Sequence, residues 1–343
     1  MSGRRITSVE VAELAGVSQS AVSRVFTPGA SVSPAMKRRV LEAAESLGYR
    51  PNVLARSLIT GRTRMIGLAV AYLDNQFYPE AIERLSRALQ DEGYHILIFM
   101  IPNEEEEAAR TIQDLMDYQV DGLVMASVAV SNTLAQRCAD AGIPVVLFNR
   151  GQDDSRLSQV TSNNRAGGRK VAEFLLAGGH RRIAHISGWS EATTGRDRSS
   201  GFRDGLAAGG QSLVAEAAGM YDRETAMAAA RQMFAGRDHP DAVFVGNDHM
   251  AFAVMDVLRG ELGLSVPDDV SVVGYDDTAV ASWAAYDLTT IRQPANRMVA
   301  ETVATMMSRI ANPDETPKKT EIDGPLIVRG SARIPKGWTD EGL

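Results

Sequence analysis

Between Ser18 and Phe26 four hydrogen-bonding side chains, Gln19, Ser20, Ser23 and Arg24, recur at i, i+1, i+4 and i+5. That spacing sets them on one side of a helix and leaves Ala21, Val22 and Val25 for the other. Such groups can donate to and accept from the edges of DNA bases, and an arginine can hold O6 and N7 of a guanine together. The solvated face of a plain helical bundle uses the same residue types, so both readings stand at this point. Signs of other chemistry are missing: there is no GxSxG, no GxxxxGK[ST], and no GxGxxG after a strand. Gly201 and Gly205 flank the bulky Phe202, follow no strand, and make no phosphate cradle. The five histidines show no HxxxH or CxxC spacing, and the single Cys138 excludes an internal disulfide. No catalytic residues, no metal site and no cofactor are expected.

Three short helices would position the polar face. Thr7 with Glu10 forms a capping-box pattern for a first helix through Val9, Ala12 and Ala15, and Gly16 suits the turn after it. Ser18 can cap a second helix to about Phe26, which makes a helix-turn-helix whose second helix fits a major groove. Ser33-Pro34 starts a third helix, with Val40, Leu41, Ala44 and Leu47 at helical spacing and Gly48 as its stop. Charge points the same way. Residues 1–64 hold ten Lys and Arg against four acids, a surplus of six, so a total of −7 leaves −13 on the other 279 residues. A basic head on an acidic body is the pattern of a nucleic-acid module joined to something else.

At 343 residues the chain suggests two or three domains. Its start, MSGRRITSVEVAE, carries no apolar h-region, and no uninterrupted apolar stretch would span a bilayer. A cytoplasmic protein without membrane contact is expected. From Met65 onward, apolar runs alternate with helix-length stretches. Met65–Val70, Ile96–Met100, Gly122–Met125 and Val145–Phe148 form one series, and Arg182–Ile186, Ala242–Val245 and Ser271–Tyr275 a second. The series open alike, RMIGLAVA and RRIAHISG. Two α/β lobes with parallel sheets are expected, with a small-molecule site between them beyond the carboxyl ends of the strands.

The run Val9-Glu10-Val11-Ala12-Glu13-Leu14-Ala15-Gly16-Val17-Ser18, then Val22-Ser23-Arg24-Val25, resembles the head of lactose-repressor/galactose-repressor (LacI/GalR) family regulators. Gly48-Tyr49-Arg50-Pro51-Asn52-Val53-Leu54-Ala55-Arg56-Ser57-Leu58 resembles the family's hinge. Similar stretches follow in the body, among them Gly178-Gly179-His180-Arg181-Arg182-Ile183, Asn247-Asp248, Gly274-Tyr275-Asp276-Asp277 and Thr289-Thr290-Ile291-Arg292-Gln293-Pro294. The resemblance covers nearly the whole chain. It implies an N-terminal all-α helix-turn-helix domain over 1–48, a hinge helix and linker over 49–63, and a periplasmic-binding-protein-like core over 64–343. Lobe one would take 64–162 and 292–323 and lobe two 163–291 and 324–343, with crossovers near 163, 291 and 324. By the same resemblance Gln19, Ser20 and Arg24 read bases in the major groove of double-stranded operator DNA. Asn52, Ala55 and Leu58 belong to a hinge helix in the minor groove, where an apolar wedge such as Leu58 can kink the duplex.

The resemblance also points to an effector cleft lined by Phe77, Tyr78, Asn149, Thr194, Arg198, Asn247 and Asp276. In it, the donor fork of Arg198 and the carboxylate of Asp276 would clamp vicinal hydroxyls or a carboxylate. Three roles stay open: Phe77 and Tyr78 could plug a loop, Asn247 could cap a helix, and Arg196 could mark an acidic ligand or pair with Asp197 in solvent. The implied protein is a homodimeric repressor controlled by a sugar, sugar acid or sugar phosphate, and not an enzyme. Its end, Pro335-Lys336-Gly337-Trp338, lacks a leucine heptad, so assembly of four chains through such a tail is not expected.

Overall fold

The computed structural model describes residues 6–27, 30–50, 63–101, 105–127, 132–153 and 156–338. The hinge residues Asn52, Ala55 and Leu58 lie outside them. The chain divides between Thr63 and Arg64 into two compact units.

The first unit holds α1 (Ser8–Ala15), α2 (Gln19–Val25) and α3 (Pro34–Leu47). Each starts on a side-chain cap. Thr7 and Glu10 bond to each other's backbone N–H, Ser18 accepts from the N–H of Ala21, and Ser33 accepts from that of Met36. Gly16 (φ 63°) and Gly48 (φ 67°) end α1 and α3 in the left-handed conformation that a side chain disfavours. The core takes one valine from each helix, Val11, Val22 and Val40, with Ala12, Ala15, Ala43 and Ala44 between them. Small side chains there let the three helices approach closely. The inward faces differ slightly from the periodicity reading, since Val9 and Leu41 are exposed while Val11 and Ala43 are buried. Phe26 and Tyr49 close the end of this core with ring centroids 5.9 Å apart.

The second unit is two α/β lobes. Lobe one contains β1 (Met65–Val70), α4 (Phe77–Asp91), β2 (His95–Met100), α5 (Glu105–Asp117), β3 (Gly122–Ala126), α6 (Asn132–Asp140), β4 (Val145–Phe148) and β5 (Ser158–Ser162). The chain then enters lobe two as α7 (Asn164–Ala177), β6 (Ile183–Ser187), α8 (Thr193–Ala208), β7 (Ala215–Ala218), α9 (Arg223–Phe234), β8 (Ala242–Val245), α10 (Asp248–Asp256), β9 (Ser271–Asp276) and β10 (Thr289–Arg292). It returns to lobe one with α11 (Ala295–Ala311) and β11 (Lys319–Ile322), and ends in lobe two with β12 (Leu326–Ile327). Sheet one runs β11-β5-β4-β3-β1-β2 with every pair parallel. Sheet two runs β12-β10-β9-β8-β6-β7, parallel except for the short antiparallel β12.

Helices cover both faces of each sheet, which is why the central strands read as unbroken apolar runs. In sheet one, Ile66, Leu68, Val124, Val146 and Phe148 face a core shared with α4 and α11. Their neighbours Ala69, Leu123, Met125 and Leu147 face the opposite one. The strands that periodicity did not reveal, β5 (SQVTS), β7 (AEAA), β10 (TTIR) and β11 (KTEI), alternate small or polar residues. β7 and β11 are edge strands, where one side is less demanding, while β5 and β10 lie inside their sheets and bury Ser and Thr hydroxyls that are hydrogen-bonded.

Helices α7 and α8 pack through glycines. A Cβ on Gly201 would stand 1.9 Å from the carbonyl oxygen of Arg165, and one on Gly168 would stand 2.2 Å from that of Arg198. This contact seats α8, and with it Arg198, against lobe two. Gly201→Ala should therefore destabilise the second unit by about 1–3 kcal/mol or more through backbone displacement. Gly260→Ala has open space around the new methyl and should be neutral or slightly stabilising. Urea unfolding of both variants checks the contrast, and an unchanged Gly201→Ala midpoint contradicts the close-packing argument.

Candidate functional site

On α2 the side chains of Gln19, Ser20, Ser23 and Arg24 are all exposed while Ala21 and Val22 are buried. Gln19 Nε2 donates to Ser8 Oγ at 3.0 Å, which ties the start of α2 back to α1, and Ser20 Oγ lies 2.9 Å from Ser18 Oγ. Arg24 sits in the last turn, where the helix dipole favours its charge. The face presents donors and acceptors that are anchored at one end and open at the other.

In the second unit, a cavity of about 910 Å3 opens between the lobes. Its wall is built from the first residues after successive strands, the carboxyl ends at which open α/β sheets bind ligands. Lobe one contributes Tyr72 and Asn75 after β1, Ser127 after β3 and Arg150 after β4. Lobe two contributes Trp189 after β6, Thr194 in the first turn of α8, Tyr221 after β7, and His249 after β8. Aromatic rings with a few polar groups between them are the usual lining of a small-molecule site.

Of the seven residues implied for the cleft, Thr194 is in this wall; its Oγ1 accepts a 3.1 Å bond from Tyr221. The other six form a buried layer linked to it. Asp276 accepts from Asn75 Nδ2 at 2.9 Å and from Gln293 Nε2 at 2.7 Å. Arg198 Nη1 lies 3.6 Å from Asp276 Oδ1 and donates to the Gly246 carbonyl at 2.7 Å. Arg198 Nε donates to Asn164 Oδ1 at 2.9 Å, and the guanidinium rests 3.7 Å from the centre of the Tyr275 ring. The Asn75–Asp276 bond joins lobe one to lobe two directly. Phe77 stacks on Phe148 and Tyr78 accepts from Asn149 Nδ2 at 2.9 Å, so both rings pack in the lobe-one core. Asn247 does cap α10, accepting from the N–H of Met250 at 3.0 Å. Among the described residues its Nδ2 has no partner, nor have Asn149 Oδ1 and Gln293 Oε1. Arg196 pairs with Asp197 and Asp153, away from the cavity wall.

Sequence reasoning did not single out Asn75, Arg150, Trp189 or Tyr221. Their signal was positional, because each follows a strand end within a few residues. Tyr221 follows β7, whose AEAA sequence carries no strand signature. Among the described residues no group of three or more His, Cys, Asp or Glu is placed to hold a metal, and no helix is long and apolar enough to cross a membrane.

A helix-turn-helix with an open polar face, in one chain with a two-lobed body around a cavity, defines a ligand-responsive DNA-binding regulator. Comparison with known proteins bears this out. Residues 9–52 match the family of bacterial regulatory proteins of the lacI type, and residues 172–332 match the periplasmic binding protein-like domain. The chain is 32% identical over 331 residues to the ribose operon repressor of Escherichia coli (strain K12), covering 95% of this chain and 99% of that protein. Its fold is similar to the transcriptional regulator CelR–cellobiose complex, with a TM-score of 0.72, 32% identity, and coverage of 96% of this chain and 100% of that one. It is also similar to the lac repressor dimer bound to operator and the anti-inducer ONPF, with a TM-score of 0.86, 26% identity, and coverage of 96% and 99%. The chain belongs to the lacI family and is a DNA-binding transcription regulator.

Behind the wall, Asp248 is buried beside Asp276, accepting from Thr290 Oγ1 at 2.6 Å and from the N–H of Thr278 at 2.9 Å. Burial, and next the charge of Asp276, push its carboxyl up to about 7 despite those bonds. A carboxyl raised on folding favours the native state at low pH, and that advantage is lost as pH rises from the unfolded value near 4 to about 7. Asn at 248 can accept the Thr278 N–H and donate to the Thr290 hydroxyl, and it cannot titrate. The stability of the native protein relative to Asp248→Asn should therefore fall by roughly 1 kcal/mol per pH unit between pH 5 and 7, then level off. Urea titrations across that range check the slope; a flat or rising difference contradicts it.

Proposed function

We propose that this protein is a homodimeric cytoplasmic repressor whose hold on a near-palindromic operator is set by a sugar or sugar derivative between the two lobes. The observation that carries this reading is the co-occurrence in one chain of the exposed α2 face and the aromatic and polar interlobe cavity. In it Gln19, Ser20 and Arg24 read base edges, and surrounding cations add sequence-independent attraction to phosphate. Two copies of the head place two α2 helices one helical turn apart on the duplex, about 34–36 Å. Asn52, Ala55 and Leu58 act between them in the minor groove, with Leu58 as the wedge. The relatives support this frame: one is named for the ribose operon, one was solved with cellobiose, and one as a dimer on its operator.

The effector works only through a difference in affinity between two arrangements of the body, a coupling of typically about 1–3 kcal/mol. The polar layer suits that task, since Asp276 faces Arg198 within lobe two, Gln293 at the crossover after β10, and Asn75 across the gap. Orphaned groups on Asn149, Asn247 and Gln293 supply unused hydrogen-bonding capacity beside it.

Arg24→Ala should weaken operator binding by about 1–3 kcal/mol and relax preference at one base pair in each half-site. Mobility shifts over single-base operator variants check this; equal loss on every sequence makes Arg24 a phosphate contact instead. Asp276→Asn keeps the layer's volume and removes the counterion of Arg198. Operator affinities measured with and without a bound sugar should converge in this variant, and an undiminished response removes the layer from the switch.

A further inference from the structure

Among the described residues, no acid of the body neutralises Arg150, a cation in the cavity wall. Three other basic groups stand near enough to compare. Arg223 is committed to Asp256 at 2.5 Å, and Arg198 to Asp276. Burial and, secondarily, the charge of Arg223 lower the pKa of His249 and disfavour its cationic form. Arg150 has no carboxylate within ion-pair distance among the described residues. Its Nη1 reaches only the Ser127 carbonyl, at 3.4 Å, and its guanidinium lies over the Trp189 ring with its centre 4.7 Å away. A guanidinium stacked by its face keeps its in-plane donors free. Burial disfavours its charge and lowers its pKa from the ordinary arginine value.

We propose, building on the reading of this cavity as the effector site, that Arg150 binds an anionic group and that the effector is a carboxylated sugar. One unpaired fork matches one carboxylate, two N–H groups to two oxygens. A phosphate dianion would call for a second free cation, which Arg223 and His249 do not provide. The rest of the wall fits the rest of such a molecule. Trp189, Tyr72 and Tyr221 offer apolar faces to the ring, while Asp74 and Asp222, in the same wall and exposed, accept from hydroxyls. An acid at Arg150 thus meets charge on one side and hydroxyl acceptors on the other. Arg150 lies in lobe one and Trp189 in lobe two, so the same carboxylate acts where the lobes face each other.

Calorimetry on the full-length protein with D-glucuronate, D-galacturonate and D-gluconate, each against D-glucose, D-galactose and D-glucose 6-phosphate, tests the assignment. At least one sugar acid should bind about tenfold or more tightly than its neutral parent and than the phosphate. Arg150→Met, which keeps a flexible stem over Trp189, should bring acid and parent to within about threefold, with circular dichroism confirming the fold. Arg150→Lys should restore part of the preference. Tighter binding of a neutral or phosphorylated sugar, an undiminished preference in Arg150→Met, or no binding by any acid overturns the proposal. A neutral sugar whose binding is lost in Tyr221→Ala overturns it while keeping the cavity as the effector site; binding insensitive to both substitutions removes the cavity reading as well.

Discussion

An arginine and a carboxylate taken out of water each lose several kcal/mol of hydration, so Arg198 and Asp276 are tenable only as a group with their hydrogen-bonding partners. Much of the body's design can be traced to meeting that condition. Arg198 reaches the layer because α8 packs almost backbone to backbone on α7, which glycines at 168 and 201 permit. Asp276 reaches it from the last residue of β9 with φ at 132°, a conformation costly for any residue but glycine. The carboxylate then gathers partners from several directions: the charge of Arg198 at 3.6 Å within lobe two, and hydrogen bonds from Gln293 at the crossover after β10 and from Asn75 of lobe one. Strain and desolvation are both concentrated where the lobes meet. Neither would persist there unless the surrounding fold over-determined the position.

The head obeys a different economy. Its core is too small to be stabilised by large side chains, and one buried valine per helix contributes roughly 1.5–3 kcal/mol each. Local signals do the rest. Caps at Thr7, Ser18 and Ser33 and left-handed stops at Gly16 and Gly48 define where each helix begins and ends. The short turn they enforce sets the angle between α1 and α2. The bond from Gln19 to Ser8 belongs to the same scheme, restraining a side chain that also stands at the open face.

These differences explain what could be read from the chain directly. The caps and stops are local chemistry, so the head's helices were visible almost to the residue. Central strands such as Met65–Val70 and Val145–Phe148 announced themselves because both faces are buried. Strands β7 and β11 did not, because an edge position relaxes the demand for apolar residues, and β5 and β10 did not, because their buried positions take Ser and Thr whose hydroxyls are bonded within the fold. Finer faces were missed where context overrode periodicity, as with the exposed Val9 and Leu41. Arg198 and Asp276 came from resemblance, and no spacing in the sequence brings residues 78 positions apart together. The wall residues Asn75, Arg150, Trp189 and Tyr221 were hidden for a further reason: each lies in a loop whose composition says nothing, and only the two assembled sheets bring those loops into one cavity.

Asn75 occupies a position of particular consequence. It lies in the cavity wall, its Nδ2 donates across the gap to Asp276, and its Oδ1 accepts the N–H of Phe77 at the start of α4. It thus faces the cavity and links the two lobes at once. A ligand oxygen that competes for the Nδ2 donor acts on the interlobe bond without having to touch Asp276. If Arg150 takes an anionic group as proposed, that group would act near Trp189 in the same cavity. Binding energy at the wall would then be converted into a change in how the two lobes hold each other. Differential affinity of this kind is the only currency in which a ligand can shift a conformational equilibrium. The buried layer makes that conversion possible because its charges cannot be left unpaired: any movement of Asn75 must be answered by Arg198, Gln293 or solvent.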